Sequence, residues 1–303
     1  MKFIIDIIKG IFIGVANIIP GVSGGTMAVT MGIYDKLISS INGIIKDFKK
    51  SFLTLLPIAI GMIAGVGVFS FIIPHCLSKY SFQTCMCFVG LIVGGMPAIS
   101  TSAQKALENE KRTRINPIHV ILFIIFCALA VWMAIANPET ATADALKPTP
   151  ILMVMLLLMG IICAAAMVVP GVSGSLLLMM LGYYSGVIGT ISVFLTALKN
   201  LDGSGLLNSV LILAPFGIGC IIGVLLISKL INWLLKRFES FTYCGILGLI
   251  AASPFAILYK MENPSYSPVS IIVGVVLFIV GAAFSYLFER LTSKPEVAEE
   301  LAK

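Results

Sequence analysis

The pentapeptide Pro-Gly-Val-Ser-Gly occurs twice in this chain, at 20–24 and again at 170–174. The match runs outward in register: Ala16 with Ala166, Gly32 with Gly182, Tyr34 with Tyr184. Each copy interrupts a long apolar stretch, and a proline with two glycines in five residues breaks a helix. The sequence is 59% hydrophobic and 11% charged, and several of its runs approach the ~20 apolar residues that span a hydrocarbon core. The chain therefore reads as an all-α, polytopic membrane protein. At membrane depth an interrupted helix is tolerated only where its freed backbone groups are buried in protein or line a cavity. The duplicated break is accordingly the candidate binding site.

Apolar runs bounded by proline, glycine and charge give eight segments, at 3–34, 53–73, 82–100, 117–136, 151–185, 209–228, 242–259 and 268–288. The repeat extends past the motif. Pro57 opens the second segment as Pro215 opens the sixth, Gly61 and Gly65 match Gly219 and Gly223, and 88–99 resembles 246–257. The chain divides into a first repeat at 1–136, a Pro- and Thr-rich linker at 137–150, a second repeat at 151–289 and a tail at 290–303.

Basic residues set the expected topology. Lys36, Lys46, Lys49 and Lys50 follow the first segment, and Lys105, Lys111, Arg112 and Arg114 lie in the 101–116 connection. Lys229, Lys236 and Arg237 lie in 229–240, and Arg290 and Lys294 follow the last segment. The connections 74–81, 137–150, 186–208 and 259–267 hold one lysine each. If all eight segments cross, these groups fall on both sides. If 3–34 and 151–185 are re-entrant hairpins, every basic connection lies in the cytoplasm with both termini, as the positive-inside rule requires. Each half then has three crossings, an odd number, so the two repeats are inverted and their hairpins approach the midplane from opposite faces. The expected fold is two inverted repeats, each a broken re-entrant hairpin plus three transmembrane helices, in the cytoplasmic (inner) membrane.

The motif chemistry suits an anion. Pro20 and Pro170 end one arm of each hairpin; Gly21, Gly24, Gly171 and Gly174 allow positive φ and close backbone approach. Ser23 or Thr26, and Ser173 or Ser175, stand where they would cap a second half-helix, whose N-terminus favours negative charge by ~0.3–2 kcal/mol. Asn17 and Gly25 complete the candidate set; Asn17 faces Met167 in the other copy, so the two sites differ. The plainer alternative is that these small residues only let helices pack closely.

Other constellations are sparse. His75 and His119 have no carboxylate or Cys pattern around them, and Asp6, Asp35, Glu239 and Glu289 stand near segment ends, where solvated positions are ordinary. The seven cysteines form no CxxC and read as small apolar residues. No Walker motif, Ser-His-Asp order or paired-Asp metal signature is present, so neither an enzyme nor a cofactor is expected. The net charge of +6 sits in short connections and does not point to nucleic acid.

The stretches IGVANIIPGVSGGTMAVTMGIY at 13–34 and AAAMVVPGVSGSLLLMMLGYY at 164–184 resemble the polyprenyl-phosphate transporter family of bacteria and archaea. The second copy departs at Ser175 for Gly25 and Leu176 for Thr26, so a threonine role belongs to the first half only. The resemblance implies flipping of undecaprenyl phosphate, the lipid carrier of cell-wall precursors, from the outer to the inner leaflet for reuse. The partners it implies are the polyprenyl phosphate and the bilayer, with homo-oligomerisation left open. A small-anion channel or exchanger is the alternative, and a scaffold without transport a third reading.

Overall fold

The computed structural model describes residues 2–19, 22–110, 116–136, 148–261, 264 and 266–300, without the side chains of Phe71 and 293–300. Pro20, Gly21, the basic residues 111–114 and most of the 137–150 linker lie outside the described residues. Within them the chain forms twelve α-helices and no strand. The first half comprises α1 (Lys2–Ala16), α2 (Gly24–Thr30), α3 (Tyr34–Gly43), α4 (Phe48–Lys79), α5 (Ser81–Asn109) and α6 (Pro117–Ile135). The second comprises α7 (Pro150–Val168), α8 (Gly174–Met180), α9 (Tyr184–Asn200), α10 (Gly203–Arg237), α11 (Glu239–Tyr259) and α12 (Pro268–Glu300). Seven of these, α4, α5, α6, α7, α10, α11 and α12, are long and apolar enough to cross a membrane. The pair α8–α9 passes the same test jointly but is bent by 108°.

Glycine stripes set how the helices run. A Cβ on Gly10 or Gly14 of α1 would strike the carbonyl of Ile58 or Met62, and one on Gly61 or Gly65 of α4 the carbonyl of Ile7 or Ile11. Partner numbers rise together, so α1 and α4 lie parallel with backbones in contact, as small residues permit between membrane helices. The second half repeats this: Gly160 meets Phe216, Gly219 meets Leu157 and Gly223 meets Ile161, so α7 and α10 are parallel too. Two parallel neighbours require the chain between them to double back. In the first half the return is pinned where the Lys36 ammonium of α3 sits 2.8 Å from Asp6 Oδ2 in α1. Between halves, α5 packs along α12 and α6 along α11.

Burial identifies the centre. Of the apolar windows, 50% of α5 and 44% of α11 are buried inside the protein, against 17% for α10 and α12. Around them, α6, α10 and α12 present large apolar side chains outward, among them Ile124, Ile221, Ile272 and Ile279. That is the surface expected of a protein whose solvent is lipid.

Several local expectations give way. The 186–208 connection is largely helical, as α9, and the Lys-rich stretch after the first motif begins with α3. Helices α4, α5 and α10 outrun their apolar cores because Lys, Gln, Glu and Ala continue a helix as readily as leucine does. Pro57 and Pro215 do not open their helices: both lie inside, as do Pro74, Pro97 and Pro254. Neighbouring helices and local adjustment re-satisfy the freed backbone groups there.

Candidate functional site

The first motif is packed away from solvent. Val22, Ser23, Gly24, Gly25 and Thr26 are all buried, Thr26 completely. Ser23 is the N-cap of α2 with extended backbone, yet its hydroxyl makes no capping bond and no other hydrogen bond. Asn17 takes that role instead, its Oδ1 accepting from the Gly24 N–H at 3.2 Å. This contact also explains Gly24, since an added Cβ would lie 2.6 Å from Asn17 Oδ1.

The second motif has another internal geometry. Ser173 caps α8, accepting from the Leu176 N–H at 3.4 Å, and its hydroxyl lies 3.0 Å from that of the exposed Ser175. Pro170 is buried and Gly171 half-buried. Gly171 has φ +76°, and an added Cβ would come within 2.7 Å of the Leu249 carbonyl oxygen, so this glycine is required twice over. Gly24 and Gly174 do not adopt positive φ; their need is close approach, Gly174 against Met167 and the Cys163 carbonyl. The matched pair Gly32 and Gly182 carries the left-handed turn after each short helix, at φ +66° and +78°.

The two motifs meet although 145 residues separate the atoms that touch. The Gly171 N–H donates to Thr26 Oγ1 at 2.7 Å. Beside this bond, a Cβ on Gly25 would lie 3.0 Å from the Val168 oxygen and 3.2 Å from the Pro170 nitrogen. Gly25 and Thr26 of the first motif thus meet Val168, Pro170 and Gly171 of the second, while Asn17 and Gly24 bond within the first half and Ser173, Gly174 and Ser175 make their contacts within the second. Thr26 serves there as a bridge and not as a cap.

Polar groups that the sequence left unassigned gather at one end of the bundle. His119 is 1% exposed, and its Nδ1 accepts from the Asn116 N–H at 3.2 Å, which leaves the proton on Nε2. Nε2 then donates to Ser240 Oγ at 3.0 Å, and Ser240 donates onward to Glu110 Oε2 at 2.8 Å. The expectation that no carboxylate accompanies His119 is therefore corrected: Glu110 reaches it through Ser240, across 130 residues of sequence. Asp6 and Asp35 are not merely solvated either. Asp6 pairs with Lys36, and Asp35 accepts from the Tyr243 hydroxyl at 2.7 Å. Burial raises the Asp35 pKa above the usual carboxylate value, and the Tyr243 bond opposes that shift. No local pattern foretells such pairs; Tyr34, which precedes Asp35 and is matched by Tyr184 in the other copy, is the nearest signal. Among the described residues no group of three His, Cys, Asp or Glu is placed to hold a metal.

Comparison with known proteins gives concordant results. Residues 13–267 match the family model described as VCA0040-like, Undecaprenyl phosphate translocase-like. A Staphylococcus aureus protein named polyprenyl-phosphate transporter is 30% identical over 293 residues, 96% of this chain and 98% of its own length. A Vibrio cholerae protein of the same name is 29% identical over 265 residues, 82% of this chain and 76% of its own. No solved structure matches the chain. With five-sixths of its length inside the family model, the chain belongs to the undecaprenyl phosphate translocase-like family.

Proposed function

We propose that this chain is a non-enzymatic flippase that carries undecaprenyl phosphate, or a related polyprenyl phosphate, across the cytoplasmic membrane for reuse of the lipid carrier. The observation that carries the reading is the junction of the two motifs, where Thr26 accepts from the Gly171 N–H beside a buried, unpartnered Ser23 hydroxyl. Such a hydroxyl costs stability unless a ligand or water completes it. The phosphate head group is held there, with Asn17, Pro20, Gly21, Ser23, Gly24, Gly25, Thr26, Pro170, Gly171, Ser173, Gly174 and Ser175 as its surround, and the prenyl tail stays in lipid. The relatives' printed name, polyprenyl-phosphate transporter, supports the substrate class.

The doubling back of 17–47 and 169–202 supports two re-entrant hairpins, and helix direction supports the inverted repeats 1–136 and 151–289. The start of α1 lies at the end of the bundle that holds the starts of α6 and α11, whereas α7 starts at the other. The described parts of the Lys- and Arg-rich connections share the first of these ends, which supports a cytoplasmic side there for both termini. Alternating access then consists of rocking the halves about the motif junction. A phosphate monoester has a second pKa of ~6, so the head group can carry its own proton and requires no carboxylate relay.

The test is reconstitution in liposomes, following labelled undecaprenyl phosphate between leaflets with wild type and Ser23→Leu/Ser173→Leu. Transfer by wild type and not by the double variant is the expected result. No lipid transfer, with chloride or inorganic phosphate flux in the same vesicles, replaces the flippase by an anion channel or exchanger.

A further inference from the structure

An apolar slot of about 580 Å³ opens between α6, α10 and α11 and reaches the second motif. Leu122 and Phe126 form one wall, Ile231 and Leu234 the other, and Leu249 with Pro170 the inner end. α6 and α10 line it from opposite sides without packing closely against each other. Among the described residues that line it, two carry side-chain hydroxyls, Tyr34 and Thr242. Thr242 is satisfied, donating to the Phe238 carbonyl at 2.7 Å. Tyr34 is 5% exposed, and its hydroxyl is buried behind the wall without a partner and does not open into the slot.

A pocket that is apolar along its length, with the proposed head-group junction at its end, fits one kind of occupant: a long hydrocarbon bearing a single anionic head. At the ~30 Å³ that a water molecule occupies in the liquid, taken per heavy atom, it holds roughly 20 heavy atoms, or about four five-carbon isoprene units. We infer that this slot binds the head-proximal isoprene units of the prenyl chain, with the phosphate at the motif junction and the distal units left in the bilayer. The inference rests on the transport reading above and adds the surface that selects the tail. By the same topology the slot lies in the cytoplasmic half of the membrane, beside the 229–240 connection, so it receives the lipid on that side. Binding through the first few units makes recognition independent of total chain length.

The experiment uses the full chain in liposomes and farnesyl phosphate carrying a diazirine in its terminal isoprene. Photolysis is expected to label α6, α10 and α11 around Leu122 and Leu234, with unlabelled undecaprenyl phosphate competing. Leu122→Trp/Leu234→Trp, which fills the slot from two half-buried positions, is expected to slow undecaprenyl phosphate transfer at least tenfold while keeping the wild-type melting transition. Labelling spread over lipid-facing residues such as Ile272, or competed equally by phosphatidylglycerol, makes the slot a site for bulk lipid and overturns the inference. Wild-type transfer by a folded double variant overturns the inference but leaves the transport reading intact. Wild type that transfers no polyprenyl phosphate removes the transport reading and the slot with it. If the double variant does not fold, Gly245→Leu, whose Cβ meets only the Phe126 ring at 3.0 Å, fills the same slot from α11 and is read by the same criteria.

Discussion

Replacing Thr26 by valine isolates the bond that joins the two halves. Valine has nearly the shape of threonine, so packing at this fully buried position is retained while the acceptor is lost. The Gly171 N–H, now 2.7 Å from Thr26 Oγ1, is left without its partner. An orphaned buried donor costs ~1–3 kcal/mol; Gly171 is half-buried, so water takes part of the load and the lower half of that range, about 1–2 kcal/mol, applies. One to two kcal/mol is a factor of roughly 5–30 in an equilibrium. Two measurements report it: thermal unfolding in nanodiscs, and hydrogen–deuterium exchange of peptides spanning 168–173, which is expected to quicken by the same factor if the junction opens locally. Thr26→Ala adds the loss of packing and is expected to be worse. A valine variant with unchanged melting and unchanged exchange refutes the claim that this bond, and not shape alone, holds the motifs together.

Gly171→Ala places a side chain at φ +76° and against the Leu249 carbonyl; the left-handed conformation alone costs ~1–2 kcal/mol, so melting is expected to fall further than for Gly182→Ala, which has open space. Lys36→Met strands Asp6, whose side chain is 10% exposed. Removing one partner of a buried pair costs about 3–5 kcal/mol; with Lys36 28% exposed the expectation drops to about 1–3 kcal/mol, and adding Asp6→Asn is expected to restore at least half of the melting loss. Asp35 has a folded pKa raised by burial, so the stability it contributes is complete below its unfolded value and declines as pH rises through the raised one. Asp35→Asn is expected to flatten the pH dependence of unfolding from pH 4 upward; an unchanged profile would show that Asp35 does not contribute to it. Topology is checked with Ser40→Cys and Ser192→Cys after removal of the seven native cysteines: labelling from opposite sides is expected, and labelling from one side overturns the inverted arrangement.

The parts of this fold that are legible in sequence are those governed by local composition. Apolar runs disclose the membrane helices, and the repeated PGVSG discloses where two of them break, because breaking a helix is a property of a few adjacent residues. Helix ends are less legible, since hydropathy marks only the stretch in lipid: α10 continues to Arg237, past Lys229 and Lys236. The polar network is not legible at all. His119 and Ser240 lie on α6 and α11 and Glu110 at the C-terminal end of α5, and their alignment depends on how α6 packs along α11. The site falls between these cases. Sequence names candidate residues, whereas the role of Thr26 as a bridge exists only once the halves are assembled, and those of Asn17 as the cap of α2 and Gly24 as a point of close approach only once the first hairpin has folded.

The same comparison explains why two nearly identical motifs sit in unequal surroundings. In the first half α2 presses on α5 where Gly95 has no side chain and Thr30 is small; a Cβ on Gly95 would lie 2.7 Å from the Thr30 Cα. The matching positions in the second half are Ser253 and Met180. A hydroxymethyl group and a thioether chain cannot occupy the space in which Gly95 and Thr30 bring two backbones together, so α8 does not pack on α11 as α2 packs on α5. α3 is held similarly, against α10 and through Lys36 to α1, while α9 packs chiefly along α10 and keeps Ile188, Ile191, Val193 and Leu195 outward. The first hairpin is thus wedged between elements of both halves, and the second meets it where the Gly171 N–H donates to Thr26 Oγ1 and packs Val172 and Leu176 against Ala130, Met133, Leu249 and Ala252.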